Sequence, residues 1–171
     1  MIKNDKPFCK KTWEECDFDG KKIAKQWLKQ YGFSSIEENL EEAKGNFKEL
    51  WDVKGIHPEF GEFRIEAEIK KDWGTKWFDM PFKYEAIHIP FRRRDKAEVH
   101  STHHMVIGGD LKRLFIVKRD VVINSPIEEK KCKNRGWQLE PFYVIPITAD
   151  HSKFYFKKNN KWTPYEFPKE N

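Results

Sequence analysis

Glu68 and Lys70 stand two residues apart in Phe63–Lys71, a stretch in which apolar and polar residues alternate. Phe63, Ile65, Ala67 and Ile69 take turns with Arg64, Glu66, Glu68 and Lys70. Strict period two predicts a strand with one buried face and one polar face. On that strand Glu68 and Lys70 project from the same side, roughly 6–7 Å apart along the chain. Glu66 shares their side. Such a row has two readings. It can be a surface ion-pair ladder worth ~0.5 kcal/mol. It can also serve phosphodiester hydrolysis if a second carboxylate converges on it. A hard cation such as Mg2+ prefers oxygen ligands and takes one or two carboxylates, water and a substrate phosphate. The cation polarises the phosphoryl oxygen and acidifies bound water. The lysine can orient that water or stabilise developing negative charge.

Two residues compete to be the second acid. Asp52, in Glu49-Leu50-Trp51-Asp52-Val53, belongs to a short apolar segment able to pair with the Glu68 strand as a hairpin. Glu59, in His57-Pro58-Glu59, is the rival. It precedes Glu68 by only nine residues, which leaves a short turn and little strand. Asp52 is therefore preferred. It completes the site if Phe47–Val53 is a strand rather than the end of a helix.

The surrounding elements must position these groups. Lys21–Tyr31 reads as a helix, because Ile23, Ala24, Trp27, Leu28 and Tyr31 make one apolar stripe. Asp19 is the expected N-terminal cap and Gly32 the C-terminal stop. Ser35–Asp52 stays ambiguous: Ile36, Leu40, Ala43, Phe47 and Leu50 suit a helix, but Gly45-Asn46 suits a turn. Further strands are expected at Glu85–Ile89, Met105–Ile107, Leu114–Val117 and Phe142–Ile147. Gly108-Gly109-Asp110 reads as a hairpin turn.

The order helix, turn, strand, acidic strand, E-x-K strand resembles the core of the PD-(D/E)XK nuclease superfamily. The residues that carry the resemblance are Ile23-Ala24-Lys25-Gln26-Trp27-Leu28 ending at Gly32-Phe33, then Leu50-Trp51-Asp52, then Glu66-Ala67-Glu68-Ile69-Lys70. It covers roughly residues 20–120. No literal Pro-Asp precedes the strand; His57-Pro58-Glu59 is the nearest match. The resemblance implies an α/β, restriction-endonuclease-like fold: a central mixed β-sheet flanked by helices. It implies Asp52 and Glu68 as metal ligands, Lys70 as the catalytic lysine and Mg2+ or Mn2+ as cofactor.

Phe82–Arg94 is basic and aromatic and ends in Arg92, Arg93 and Arg94. Guanidinium matches phosphate bidentately, so these arginines are candidate nucleic-acid contacts; a solvated loop is the alternative. Lys71 and Lys76 flank the site as candidate backbone contacts, and Trp73 suits either a base or the core. His88, His100, His103 and His104 cluster in sequence without a matching Cys or His pair at zinc-finger spacing. His104, just before the Met105 strand, is the one expected to touch phosphate or carry a proton.

The whole chain bounds these ideas. Its 171 residues suit one domain, with a peripheral segment over residues 1–18 and a loose tail over 157–171. Hydrophobic residues make up 38% and charged residues 36%, with 14 Phe, 7 Trp and 5 Tyr, which favours a sheet-rich folded chain over disorder. Lys and Arg exceed Asp and Glu by 33 − 28 = +5, which permits nucleic-acid binding without requiring it. Three cysteines without regular spacing argue against a disulfide framework. No apolar run spans a bilayer and no signal-peptide core opens the chain, so a cytoplasmic protein is expected. Phosphate-loop, dinucleotide and serine-hydrolase motifs are missing, which weakens those classes. The leading expectation is a Mg2+-dependent deoxyribonuclease, with a homodimer suited to cutting two strands. A catalytically inactive module binding nucleic acid or a protein is the second. A protein whose E-x-K is only an ion-pair ladder is the third.

Overall fold

The computed structural model describes residues 10–40, 51–70, 86–90, 101–132 and 136–166. Among them are two helices and ten strands. Helix α1 runs Lys10–Gln30, and β1 (Ser34–Glu38), β2 (Val53–His57) and β3 (Gly61–Lys70) follow as an antiparallel meander. Next come β4 (Ala86–Pro90), β5 (His103–Gly108), β6 (Arg113–Lys118) and the short α2 (Arg119–Ile123). The chain continues with β7 (Ile127–Cys132), β8 (Gln138–Pro146), β9 (Ser152–Lys158) and β10 (Lys161–Tyr165).

Seven strands form one sheet in the order β1-β2-β3-β5-β6-β9-β10, and β4-β8-β7 form another. All pairings are antiparallel except β3 with β5. Helix α1 touches β1 and β2 near one edge of the large sheet and β10 at the other. Flat, those edges would lie ~29 Å apart at the usual strand spacing, whereas a helix is only ~10–12 Å across. The sheet must therefore curl around α1, and it forms a half-barrel.

This corrects the expected fold class. The protein is mostly β, and α1 is the one long helix among the described residues, so the large sheet is not flanked by helices as a restriction-endonuclease-like fold requires. One face is covered by α1. The other is covered by the three-stranded sheet and α2, which build a second core from Ile87, Ile89, Phe115, Tyr143, Ile145 and Phe154. With both faces covered, every residue of β5 is buried.

Helix α1 shows how local sequence sets up the first core. Ile23, Ala24, Trp27 and Leu28 are all 5% exposed or less and pack on Val53, Ile65, Met105 and Leu114. Each large side chain buried in this way stabilises by ~1.5–3 kcal/mol. The helix begins eleven residues earlier than its apolar stripe indicated, at Lys10, so Asp19 lies inside it and caps nothing. Asp17 instead pairs with Lys21 one turn on, at 2.8 Å. The stop at Gly32 is as expected. With φ +82°, Gly32 lets Phe33 N–H reach Leu28 O (3.0 Å) and its own N–H reach Lys29 O (3.3 Å).

Residues in the segment read as a loose tail form β10, whose Trp162 is 2% exposed. Asn159 and Asn160, both at positive φ, make the two-residue turn between β9 and β10. Among the described residues, no helix is long and apolar enough to cross a membrane.

Candidate functional site

Strand β3 lies inside the large sheet, between β2 and β5. Ile65 is fully buried against α1, and Ala67 and Ile69 pack on the same core. Period two then sends Glu66, Glu68 and Lys70 to the opposite face, as the sequence indicated. Lys70 Nζ stands 2.7 Å from Glu68 Oε1, with both side chains less than one-fifth exposed. This pair is far drier than the surface pair Lys54–Glu37, whose glutamate is more than half exposed.

Asp52 immediately precedes β2. Its backbone N–H donates to Ile65 O at 2.8 Å, while its carbonyl accepts from Asn39 N–H at 2.9 Å. Regular pairing with β3 ends at Val53↔Ile65. The next β3 N–H on that edge, that of Ala67, donates to Asp52 Oδ2 at 2.7 Å. The carboxylate thus stands in for the backbone carbonyl that β2 no longer offers. It is anchored at the residue between Glu66 and Glu68.

Glu59 lies elsewhere. It is exposed in the β2–β3 turn, and its backbone N–H donates to His57 Nδ1 at 3.1 Å. Seven residues of extended β3 separate Gly61, at the end of that turn, from Glu68, about 23 Å. Of the two rival acids, only Asp52 is brought to the Glu68 region of β3.

His103 and His104 are consecutive on β5, so they face opposite ways and cannot share a ligand. His103 faces α1, stacks on Phe63 at 3.8 Å between ring centroids, and sits with Nδ1 2.9 Å from Thr102 Oγ1. Burial, helped by Lys118 and His104, pushes its pKa down to about 4. His104 faces the β3 carboxylates, because β5 pairs in parallel with Glu66 opposite His104. Its Nδ1 lies 3.5 Å from Glu66 Oε2.

Arg119, at the start of α2, extends this polar group. Its guanidinium donates to Ser101 Oγ at 3.1 Å. Burial lowers its pKa, opposed by the nearby charges of Glu66, Tyr143 and Asp120. His88 on β4 is likewise held down, first by burial and then by Lys130, with Lys70 adding to it and Glu128 opposing. Arg119 and Ser101 were not among the expected site residues, since nothing in their local pattern distinguishes them from surface residues. Lys71, Lys76, Trp73, His100 and the arginines Arg92, Arg93 and Arg94 lie outside the described residues.

The donor chemistry suits a hard cation: Asp52 and Glu68 carry carboxylate oxygens, and the Ala67 N–H holds Asp52 by its Oδ2. Among the described residues no three or more His, Cys, Asp or Glu side chains converge as a metal-holding group. A cation here would therefore take at most two of these side chains, with water and phosphate completing its shell. No family model, curated protein or solved structure matches the chain.

Proposed function

We propose that the polar face of β3 is a phosphodiester-hydrolysing site acting on nucleic acid, with DNA as the first substrate to test. The observation that carries this reading is a juxtaposition. Asp52 is hydrogen-bonded at 2.7 Å to the backbone of Ala67, fifteen residues on, and the Glu68–Lys70 pair begins at the next residue. Asp52 and Glu68 would hold Mg2+ or Mn2+. That cation supplies phosphoryl polarisation and a more acidic bound water.

The chain's own groups have distinct parts in this reading. Glu68 holds the Lys70 ammonium at 2.7 Å in a partly dry setting. A fixed cation there stabilises negative charge on a phosphate oxygen more strongly than one in bulk water. The Ala67 N–H fixes the orientation of Asp52. The overall charge of +5 favours approach of a polyanion.

The test is cleavage of labelled duplex and single-stranded DNA with Mg2+ or Mn2+. Wild-type protein should cut, and Glu68→Ala and Lys70→Ala should each lower cutting by about 100-fold or more. Equal cleavage by both variants would sink the proposal.

One observation favours a second reading, a binding module without turnover. Glu68 and Lys70 neutralise one another, and Asp52 already serves the backbone of β3. That reading expects salt-dependent binding of DNA with no product at any divalent cation concentration.

A further inference from the structure

On the far edge of the large sheet, the end of α1 and the β9–β10 hairpin enclose an open cleft of about 420 Å³. Lys29, Lys157 and Lys161 line it, and no acidic residue does. None of the three lysines forms an ion pair among the described residues. Lys29 also lies in the last turn of α1, where a cation complements the negative end of the helix. That accounts for one lysine. The other two come from the hairpin, in Lys157-Lys158-Asn159-Asn160-Lys161.

Hydrogen bonds tie together the frame that holds these charges. Gln30 clamps the backbone of Trp162 from both sides: its Nε2 donates to Trp162 O, and its Oε1 accepts from Trp162 N–H at 2.6 Å. Tyr31 Oη donates to the same carbonyl at 2.9 Å. Lys157 Nζ donates to Gln26 Oε1 at 3.3 Å and sits 5.5 Å from the centre of the Trp162 ring. Lys157 is tied at its backbone as well, its N–H donating to Lys112 O at 2.7 Å.

Like charges held in one place repel, and a bound polyanion relieves that repulsion. The lining selects the kind of anion. It offers ammonium and amide donors, while its aromatic residue, Trp162, is 2% exposed and presents no face for a base to stack on. Recognition there would be by phosphate and not by base. We propose that this cleft is a phosphate-binding site that takes the sugar–phosphate backbone of a nucleic-acid strand. The site stands apart from β3 and needs no divalent cation, so it holds whether or not β3 cuts.

The experiment is fluorescence anisotropy of labelled duplex and single-stranded oligonucleotides with the full chain, in chelator, over a range of salt. Lys157→Glu and Lys161→Glu are compared with Lys54→Glu, an equal charge change at the opposite end of the sheet. Thermal melts check that each variant is folded. The cleft variants should each weaken binding at least tenfold and flatten the log–log salt slope by about 1. Lys54→Glu should change affinity less than threefold. Equal losses in all three variants, or no binding by wild-type protein at low salt, would overturn the proposal. Inorganic tripolyphosphate is titrated alongside. Competition with the oligonucleotide that disappears in Lys161→Glu supports the site. Tripolyphosphate binding without oligonucleotide binding overturns the assignment to a nucleic-acid backbone.

Discussion

Ile65, Ala67 and Ile69 point from β3 towards α1, whereas Glu66, Glu68 and Lys70 leave the same backbone on the other side. The first set meets a helix and a continuous apolar core. The second meets polar partners: His104 across β5, Arg119 from α2, and the Asp52 carboxylate at the strand edge. One strand thus carries a packing face and a polar face, kept apart by the pleat. Substitutions one residue apart should therefore have different consequences. Those on the helix side should cost stability, and those on the polar side should cost function.

The largest effect is expected at Ile65, which is fully buried. Ile65→Ala should destabilise by about 4 kcal/mol, since both transfer energy and a cavity are involved. Urea denaturation with circular dichroism measures this. If Glu68→Gln costs as much stability, the polar face is structural and the contrast fails.

His103 tests the contrast differently, because it is a titratable group on the packing face. It titrates near 6.5 when unfolded and about 4 when folded. Between those values the unfolded chain binds a proton that the folded protein refuses. Stability is therefore intact above pH 6.5, falls as pH drops towards 4, and loses up to ~3 kcal/mol by then. His103→Phe should flatten the denaturation profile between pH 6.5 and 4.5. An unchanged slope in that variant would show that other groups set the acid limb.

On the polar face, Lys70→Met should lower cleavage by about 100-fold, equivalent to ~2.7 kcal/mol of transition-state stabilisation. Its melting temperature should stay within a few degrees of wild type. A large fall in melting temperature with cleavage retained would reverse the assignment of this face.

The smallest effect is a gain. Gly20 sits inside α1, and a Cβ there would meet Ala67 Cβ at 3.6 Å, an ordinary contact. Gly20→Ala should stabilise by ~0.5–1 kcal/mol, because alanine is the better helix former. At Gly55 the same change places Cβ 3.3 Å from Leu28 Cδ1 and Phe33 Cβ, so Gly55→Ala should not share that gain.

Parts of this arrangement were legible in the sequence and parts were not. The alternation of β3, the stripe of α1 and the stop at Gly32 are local signals, and each appears in the structure. Strand β7 carries only one large apolar residue, Ile127, in a row of exposed charges, so it had no periodicity to read; pairing with β8 defines it. In β10, Pro164 and the neighbouring lysines resembled a loose end. Proline is nonetheless tolerated on an edge strand, and Trp162 anchors it. The expected flanking helices came from the resemblance of the N-terminal motifs, which are silent about the antiparallel strands that follow β5.

Which side chains share a face follows from residue order alone, because the pleat and the helical turn are properties of the backbone. Residue order therefore set Glu66, Glu68 and Lys70 together and kept His103 from His104. What each face meets depends on long-range packing. The parallel pairing of β3 with β5, the Asp52 carboxylate at Ala67, the Arg119 guanidinium and the closing of α1 onto the β9–β10 hairpin join segments distant in the chain. Such contacts follow from how the curled sheet buries its two faces, a balance over the whole molecule that no local pattern records.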